Sequence, residues 1–275
     1  LAAKPPWCWT CISIPLCFNE SLCFNFPVVP RPVGGVSICQ KAKCSMTIAL
    51  MLAATQARIA QALQHAHRPA EAARLVAVSK TFPAAAIREA AAAGQRAFGE
   101  NYVQEFADKV AELADLDLEW HFIGPLQSNK TRPVAEAAHW VHTLDRLKIA
   151  ERLSAQRPAD LPPLNVCVQV NVSGETSKHG VNLADVPALA RAVAALPRLR
   201  LRGLMTIPEA SPDLDLLASR FASLRQCLAA LNAEGLALDT LSMGMSADMD
   251  LALAEGATLV RVGTAIFGGR VYPAA

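Results

Sequence analysis

RLVAVSKTFPAAAIREAAAAG, residues 74–94, forms one unit made of a strand and a helix. Residues 75–78 are all aliphatic and two of them are β-branched valines, which is typical of a buried strand, and Pro83 ends this run before an alanine-rich segment. Gly94 marks the end of the predicted helix. The unit also places Lys80 where the strand ends, although an ammonium group is costly to bury without compensation.

The same strand-and-helix unit recurs through the rest of the chain, after a first amphipathic helix predicted over 47–67. The strands are continuous apolar runs, as expected for parallel strands that are covered on both faces. We predict eight of them, at 74–80, 97–100, 119–124, 139–144, 164–172, 199–207, 240–244 and 259–269. Eight units favour a single (β/α)8 TIM-type barrel preceded by an N-terminal helix. The alternative, a doubly wound open sheet, usually has about five or six strands.

Residues 1–45 differ in composition from the rest of the chain, since they hold six of the eight cysteines and six prolines without a sustained period. A zinc site at Cys8 and Cys11 is not favoured, because a second ligand pair at comparable spacing is missing. The prolines would also interrupt a secretory signal. Met46 directly precedes the first helical pattern. We therefore expect a disordered or artefactual leader over 1–45 and a barrel domain over 46–275.

Composition argues against nucleic acid and membranes as partners. The net charge is +2, charged residues make up 18% and aromatic residues 5%, which indicates neither a basic surface nor base-stacking platforms. No segment reaches the roughly 20 uninterrupted apolar residues that cross a bilayer. The two cysteines beyond the leader, Cys167 and Cys227, are typical of a reduced protein, so we expect a cytoplasmic location.

Ligand-binding residues of such barrels lie at the C-terminal ends of the strands and in the loops that follow them. Lys80 falls there, together with Glu100 and Asn101 after the second predicted strand. Desolvation between apolar walls can lower the pKa of a lysine, and its neutral amine can then form a Schiff base with an aldehyde. The alternative is a lysine whose ammonium group reaches solvent from the strand end.

The loops after the last two predicted strands suit a phosphate group. Ser246 is predicted to cap the following helix, whose free N–H groups would face an anion. Gly263 permits close backbone approach and Thr264 adds a hydroxyl, although all three could be ordinary turn residues. A ligand that carries both an aldehyde and a phosphate would fit these loops together with Lys80. Pyridoxal 5′-phosphate (PLP) is such a ligand.

Arg261 lies within the last apolar strand and could face the pyridine nitrogen of PLP. A permanent cation at that place disfavours protonation of the ring nitrogen and weakens the cofactor as an electron sink. The alternative is an ion pair between Arg261 and a neighbouring carboxylate, because a buried charge needs a partner.

Six separated motifs resemble the YggS/PROSC family of PLP homeostasis proteins, namely AVSKTFP, FGENYVQE, WHFIGPLQSNK, VNVSGETSKHG, GLMTIPE and LSMGMSADMDLALAEGATLVRVGTAIFGGR. The resemblance covers residues 50–270 and implies a PLP-binding barrel similar to the N-terminal domain of bacterial alanine racemase. It implies that Lys80 is the Schiff-base lysine. The other cofactor-binding residues that it implies are Ser246, Gly263 and Thr264 at the phosphate with Ser242 nearby, Arg261 at the pyridine nitrogen, and Asn101 along the cofactor.

Catalysis by the bound cofactor needs further groups. Alanine racemase supplies a second acid/base tyrosine with a further β domain, whereas this chain ends at Ala275 and has only Tyr102 and Tyr272. We therefore expect a monomeric PLP carrier that has no efficient turnover and contacts PLP-dependent apoenzymes transiently. The alternatives are a small PLP-dependent racemase that uses His121 or Tyr102 as its base, and an aldolase-like barrel that uses the Lys80 amine on a substrate carbonyl.

A polar loop, SGETSKHG at 173–180, separates the fifth predicted strand from its helix. Lys178 lies in this loop between Ser177 and His179, which suits an exposed or mobile role. The sequence does not indicate which proteins receive PLP.

Overall fold

A computed structural model of the chain describes residues 47–174 and 179–269. The predictions on the leader over 1–45, on Lys178 and on Tyr272 lie outside these described residues.

Eight parallel strands in the described part of the chain form a closed barrel. They are β1 (Arg74–Val78), β2 (Ala97–Glu100), β3 (Glu119–Phe122), β4 (Trp140–Leu144), β5 (Leu164–Asn171), β6 (Leu199–Met205), β7 (Thr240–Ser242) and β8 (Leu259–Val262). Each strand pairs with the next one along the chain, and β8 pairs back with β1, where Arg261 stands opposite Val76. The predicted (β/α)8 barrel is thereby confirmed.

The helices alternate with the strands. They are α1 (Ile48–His65), α2 (Ala84–Ala92), α3 (Val103–Glu112), α4 (Thr131–Ala137), α5 (Leu147–Gln156), α6 (Val186–Ala194), α7 (Leu214–Ala233), α8 (Met249–Ala254) and α9 (Thr264–Phe267). Helix α1 precedes the barrel, as predicted, and packs against α2, α8 and α9. No helix in the described ranges combines the length and the apolar character needed to cross a membrane.

Local sequence determines where these helices begin and end. Helix α1 begins after Thr47, whose Oγ accepts a hydrogen bond from the Leu50 N–H at 3.3 Å and so satisfies one of the free amides of the first turn. Its buried face repeats every three or four residues, as an amphipathic helix requires, and consists of Leu52, Thr55, Ile59 and Leu63. Helix α2 is followed by Gly94, whose φ of +97° lies in the left-handed region that glycine adopts readily.

Two local predictions were wrong. The last predicted strand, 259–269, ends at Val262, because the chain turns at Gly263 and continues as the short helix α9. A two-residue strand, Val181–Asn182, was not predicted, and it pairs with the end of β5. Both differences lie at the C-terminal ends of strands, where the loops of a barrel vary most.

Apolar side chains pack on both faces of the barrel wall. On the outside, Phe106 of α3 meets Trp120 and Phe122 of β3 edge to face, with ring centroids 6.1 and 6.0 Å apart. A smaller cluster takes one residue from each of six strands, which places it inside the barrel: Val76, Ala97, Trp140, Cys167, Met205 and Leu259. Since Trp120 and Phe122 face outward, strand alternation turns His121 into the interior.

Truncation of α1 tests its packing against the barrel. Leu63 is fully buried, whereas Leu50 of the same helix is 58% exposed. We expect Leu63→Ala to lower the free energy of unfolding by about 2–5 kcal/mol, because it leaves a cavity. The matched Leu50→Ala change should alter it by less than about 0.5 kcal/mol in denaturant titrations. Equal losses in the two variants would contradict this placement of α1.

Candidate functional site

A cavity of about 280 Å³ opens at the C-terminal ends of the strands, and we call it the Lys80 cavity. Its walls are largely apolar and include Val78, Ile123 and Ile207. The structure brings six of the seven predicted cofactor-binding residues into its lining, namely Lys80, Asn101, Ser246, Arg261, Gly263 and Thr264. The rule that strand ends converge at one rim therefore located most of the site from sequence.

Lys80 is half-buried and lies in a tight turn between β1 and α2. The Ser79 carbonyl accepts a hydrogen bond from the Phe82 N–H at 3.1 Å, which closes this turn. Thr81, the residue after Lys80, has a φ of +69°. A β-branched residue rarely adopts such a conformation, so the surrounding contacts must hold the turn in place.

A buried ionic cluster that the sequence did not reveal lies beneath this turn. The Lys109 ammonium donates to Oε1 of Glu100 at 2.6 Å and to Oε1 of Glu105 at 2.7 Å. Lys109 is only 6% exposed, although lysine side chains are mostly exposed and are buried only when paired. One signal could have indicated its burial: Lys109 falls three residues after Phe106 and four before Leu113, on the buried face of α3.

Arg261 is buried inside the barrel and reaches the floor of the cavity. Its Nη1 donates to Ser242 Oγ at 2.7 Å and its Nη2 to the Thr206 carbonyl at 2.9 Å. Among the described residues, no carboxylate oxygen lies within 4.0 Å of the guanidinium, so the ion-pair alternative is not supported. Burial lowers the pKa of Arg261 to about 10, and more distant groups such as Asp248 oppose this shift.

Ser242, which was predicted to lie near the cofactor phosphate, does not line the cavity. The residue is fully buried. Its Oγ lies between the Arg261 guanidinium and His142 Nδ1, each 2.7 Å away. The side chain therefore points into the barrel, where it fixes Arg261 instead of facing the rim.

Two histidines continue this chain of contacts deeper into the barrel. His142 Nε2 lies 2.9 Å from His121 Nδ1, and both rings are fully buried. Burial lowers the pKa of His121 and places that of His142 well below its ordinary value, so both imidazoles are neutral at neutral pH. His121 does not line the Lys80 cavity, and the exposed Tyr102 lines a neighbouring one.

The predicted helix cap at Ser246 was wrong. Helix α8 begins later, with Asp248 at its N-cap. The Asp248 carboxylate makes no capping hydrogen bond and instead accepts from the Met245 N–H of the preceding loop at 2.5 Å. Ser246 instead lies in the loop that lines the cavity. Its carbonyl accepts from Arg58 Nη1 at 2.9 Å, and this contact ties the loop to α1.

The cavity fits PLP in size and in chemistry. Its volume is close to the lower end of the roughly 300–1,000 Å³ that is usual for small-molecule sites. Its lining supplies the Lys80 amine, the Arg261 guanidinium, the hydroxyls of Ser246 and Thr264, and the backbone of Gly263. The buried Asn101 Oδ1 has no hydrogen-bond partner within the described residues, which leaves an acceptor for a bound ligand. The described part of the chain contains no group of His, Cys, Asp and Glu that could hold a metal ion.

Comparison with known proteins identifies relatives over the same span. The domain family described as "Alanine racemase, N-terminal domain" matches residues 50–271. The pyridoxal phosphate homeostasis protein of Pseudomonas aeruginosa is 63% identical over 228 residues, which cover 83% of this chain and 98% of that protein. The Escherichia coli protein of the same name is 55% identical over 231 residues, covering 82% and 97%.

Solved structures with similar folds include PipY of Synechococcus elongatus with PLP bound, at 42% identity and a TM-score of 0.71. The match covers 81% of this chain and all of PipY. Alanine racemase of Corynebacterium glutamicum has a TM-score of 0.60 at 19% identity, covering 78% of this chain and 61% of that chain, and shares the fold alone.

Replacement of Arg261 tests whether its charge is compensated inside the barrel. We expect Arg261→Met to raise the free energy of unfolding of the ligand-free protein by about 1–2 kcal/mol, because an apolar chain replaces a buried charge that has no carboxylate partner within residues 47–174 and 179–269. The control Arg225→Met removes a half-exposed arginine that pairs with Glu255 at 3.0 Å. It should change the stability by less than about 1 kcal/mol in urea titrations. A large loss in Arg261→Met would show that the apo barrel itself stabilises the guanidinium.

Proposed function

The chain belongs to the family of the pyridoxal phosphate homeostasis proteins, and we propose that it binds PLP in the Lys80 cavity. The observation that carries this proposal is the convergence of Lys80, Arg261, Ser246, Gly263 and Thr264 on one cavity. The PLP-bound structure of PipY, a relative at 42% identity, supports it. The role that follows is intracellular PLP (vitamin B6) homeostasis.

We propose that PLP is held covalently as a Schiff base on Lys80. The lone pair of the Lys80 amine forms the carbon–nitrogen bond with the aldehyde carbon, and the aldehyde oxygen leaves as water. Ser246 and Thr264 hydroxyls and the backbone at Gly263 hold the phosphate, and Asn101 lines the cofactor. Since imine formation is reversible, the same amine that captures PLP can also release it.

We further propose that the protein does not turn PLP over efficiently. Bound PLP provides an electron sink when its ring nitrogen is protonated, and the Arg261 cation at that nitrogen disfavours protonation. The two candidate bases, His121 and Tyr102, are absent from the lining of the Lys80 cavity in the described part of the chain. The absence of these two bases from the lining favours a carrier over the racemase alternative.

The remaining proposals concern location and partners. We propose a cytoplasmic monomer that passes PLP to PLP-dependent apoenzymes through transient contacts. The half-buried position of Lys80 at the mouth of the barrel supports transfer, because a recipient can approach the imine from solvent.

Optical spectra test the covalent site. Wild-type protein incubated with PLP should gain the visible absorbance of an imine, and borohydride reduction should fix the label on the peptide that carries Lys80. Lys80→Ala should lose the fixed label, whereas Lys148→Ala, which removes an exposed lysine of α5, should retain it. Colourless wild-type protein would favour the aldolase-like alternative, and a label on another lysine would contradict the assignment.

A racemisation assay tests the carrier role. We expect the PLP-loaded protein to convert L-alanine to D-alanine no faster than free PLP at the same concentration, because the cavity lacks a second acid/base group among the described residues. A bacterial alanine racemase serves as the positive control. Saturable turnover well above the free-PLP rate would support the racemase alternative.

A further inference from the structure

We infer that Lys109 is a positioning residue that holds Lys80 in place for attack on the aldehyde of PLP. The inference rests on the proposed function, since it assigns Lys109 a role toward the Schiff-base lysine. Lys109 does not line the Lys80 cavity, so it acts through the chain that carries Lys80.

The Lys109 ammonium makes three hydrogen bonds in a buried environment. Its Nζ donates to the Ser79 carbonyl at 2.8 Å, in addition to its bonds with Glu100 and Glu105. An ammonium group has three hydrogens, so these contacts use its full capacity. A fully bonded ammonium group fixes both its own position and that of its three partners.

Two of these contacts hold the residues on either side of Lys80. Ser79, directly before Lys80, is bound by Lys109 itself. Thr81, directly after it, donates its N–H to Glu105 Oε1 at 2.5 Å, and the same carboxylate oxygen accepts from Lys109. One ammonium group thus constrains both peptide neighbours of Lys80, which explains how Thr81 keeps its left-handed φ of +69°.

Glu100 of β2 belongs to the same cluster, and we call Lys109, Glu105 and Glu100 together the clamp of Lys80. Its Oε1 accepts from Ser79 Oγ at 2.7 Å and from Lys109, while the side chain is fully buried. Desolvation raises the pKa of Glu100, and Lys109 opposes that shift. A buried ion pair gives little net stability compared with apolar side chains of similar size. The position of the Lys109–Glu100 ion pair beneath the turn that carries Lys80 is therefore better explained by a role in positioning Lys80 than by a contribution to stability.

Positioning of the amine has a specific chemical consequence. PLP needs the Lys80 nitrogen within attack distance of its aldehyde carbon, and a misplacement of about 1 Å can reduce such a reaction about a hundredfold. Pyridoxine 5′-phosphate carries a hydroxymethyl group instead of the aldehyde, so it can occupy the cavity without forming an imine. Loss of the clamp should therefore weaken PLP binding selectively.

The experiment compares these two ligands on folded variants. Glu105→Met releases Thr81 and leaves the Lys109–Glu100 pair intact. The double variant Glu100→Gln, Lys109→Met removes both buried charges together and keeps an acceptor for Ser79 Oγ. The Glu105 carboxylate, whose side chain is 25% exposed, remains and still accepts from the Thr81 N–H. Lys148→Met is the exposed control, and thermal melting by circular dichroism confirms that each variant is folded.

We expect both clamp variants to raise the dissociation constant for PLP about tenfold or more, and to slow borohydride-trappable labelling of Lys80 to a similar extent. The dissociation constant for pyridoxine 5′-phosphate should stay within about twofold of wild type, and Lys148→Met should match wild type for both ligands.

Three outcomes overturn the inference. Equal weakening of both ligands would show that the cluster only maintains the cavity. Wild-type affinities and labelling rates in both clamp variants would show that Lys80 is held by other contacts. Failure of wild-type protein to label at Lys80 would reject the proposed function, and the inference with it, so the two failures are distinguishable.

Discussion

The cost of burying positive charge constrains this site more than any other interaction. Two buried cations, Lys109 of α3 and Arg261 of β8, lie beside the site, and the barrel treats them differently. Lys109 is surrounded by two carboxylates, which neutralise its charge within the protein. Arg261 is held by neutral acceptors, Ser242 Oγ and the Thr206 carbonyl, so that its charge stays available to whatever occupies the cavity. The first cation therefore shapes the site, while the second can act on a ligand.

The cost of burying positive charge also keeps the interior histidines neutral. A guanidinium can only donate, so Ser242 Oγ accepts from Arg261 and directs its own hydrogen to His142 Nδ1. His142 then donates from Nε2 to His121 Nδ1, and the remaining His121 N–H faces Glu119 Oε1 at 3.5 Å. Burial disfavours ionisation of Glu119, but the His121 N–H that faces it and the Arg74 guanidinium that pairs with it outweigh burial and lower its pKa. With this assignment of tautomers, each donor points away from Arg261 and toward an anion.

The sequence predicted the residues at the rim of the site but not the buried contacts that hold them in place. Lys80, Asn101 and Gly263 could be placed because the ends of parallel strands meet whatever the exact strand register. The position of Ser242 could not be predicted, because its contact with Arg261 depends on two further features. These are the β7–β8 register, in which Ser242 pairs with Leu259, and the face of the strand that each side chain occupies. Lys109 could not, because its burial depends on how α3 packs over β2, and its charge suggested the opposite.

The fold alone does not decide between carrier and enzyme, since alanine racemase of Corynebacterium glutamicum has the same barrel at 19% identity. Whether the barrel acts as a carrier or as an enzyme depends on two groups, the amine that captures the aldehyde and the group opposite the ring nitrogen. A clamped amine would favour rapid and reversible imine formation, whereas the proposed position of Arg261 at the ring nitrogen would disfavour protonation of that nitrogen and so weaken the electron sink that turnover needs. Under the proposed function, the same buried charge that we expect to destabilise the empty barrel makes it suited to hold a reactive cofactor without consuming amino acids.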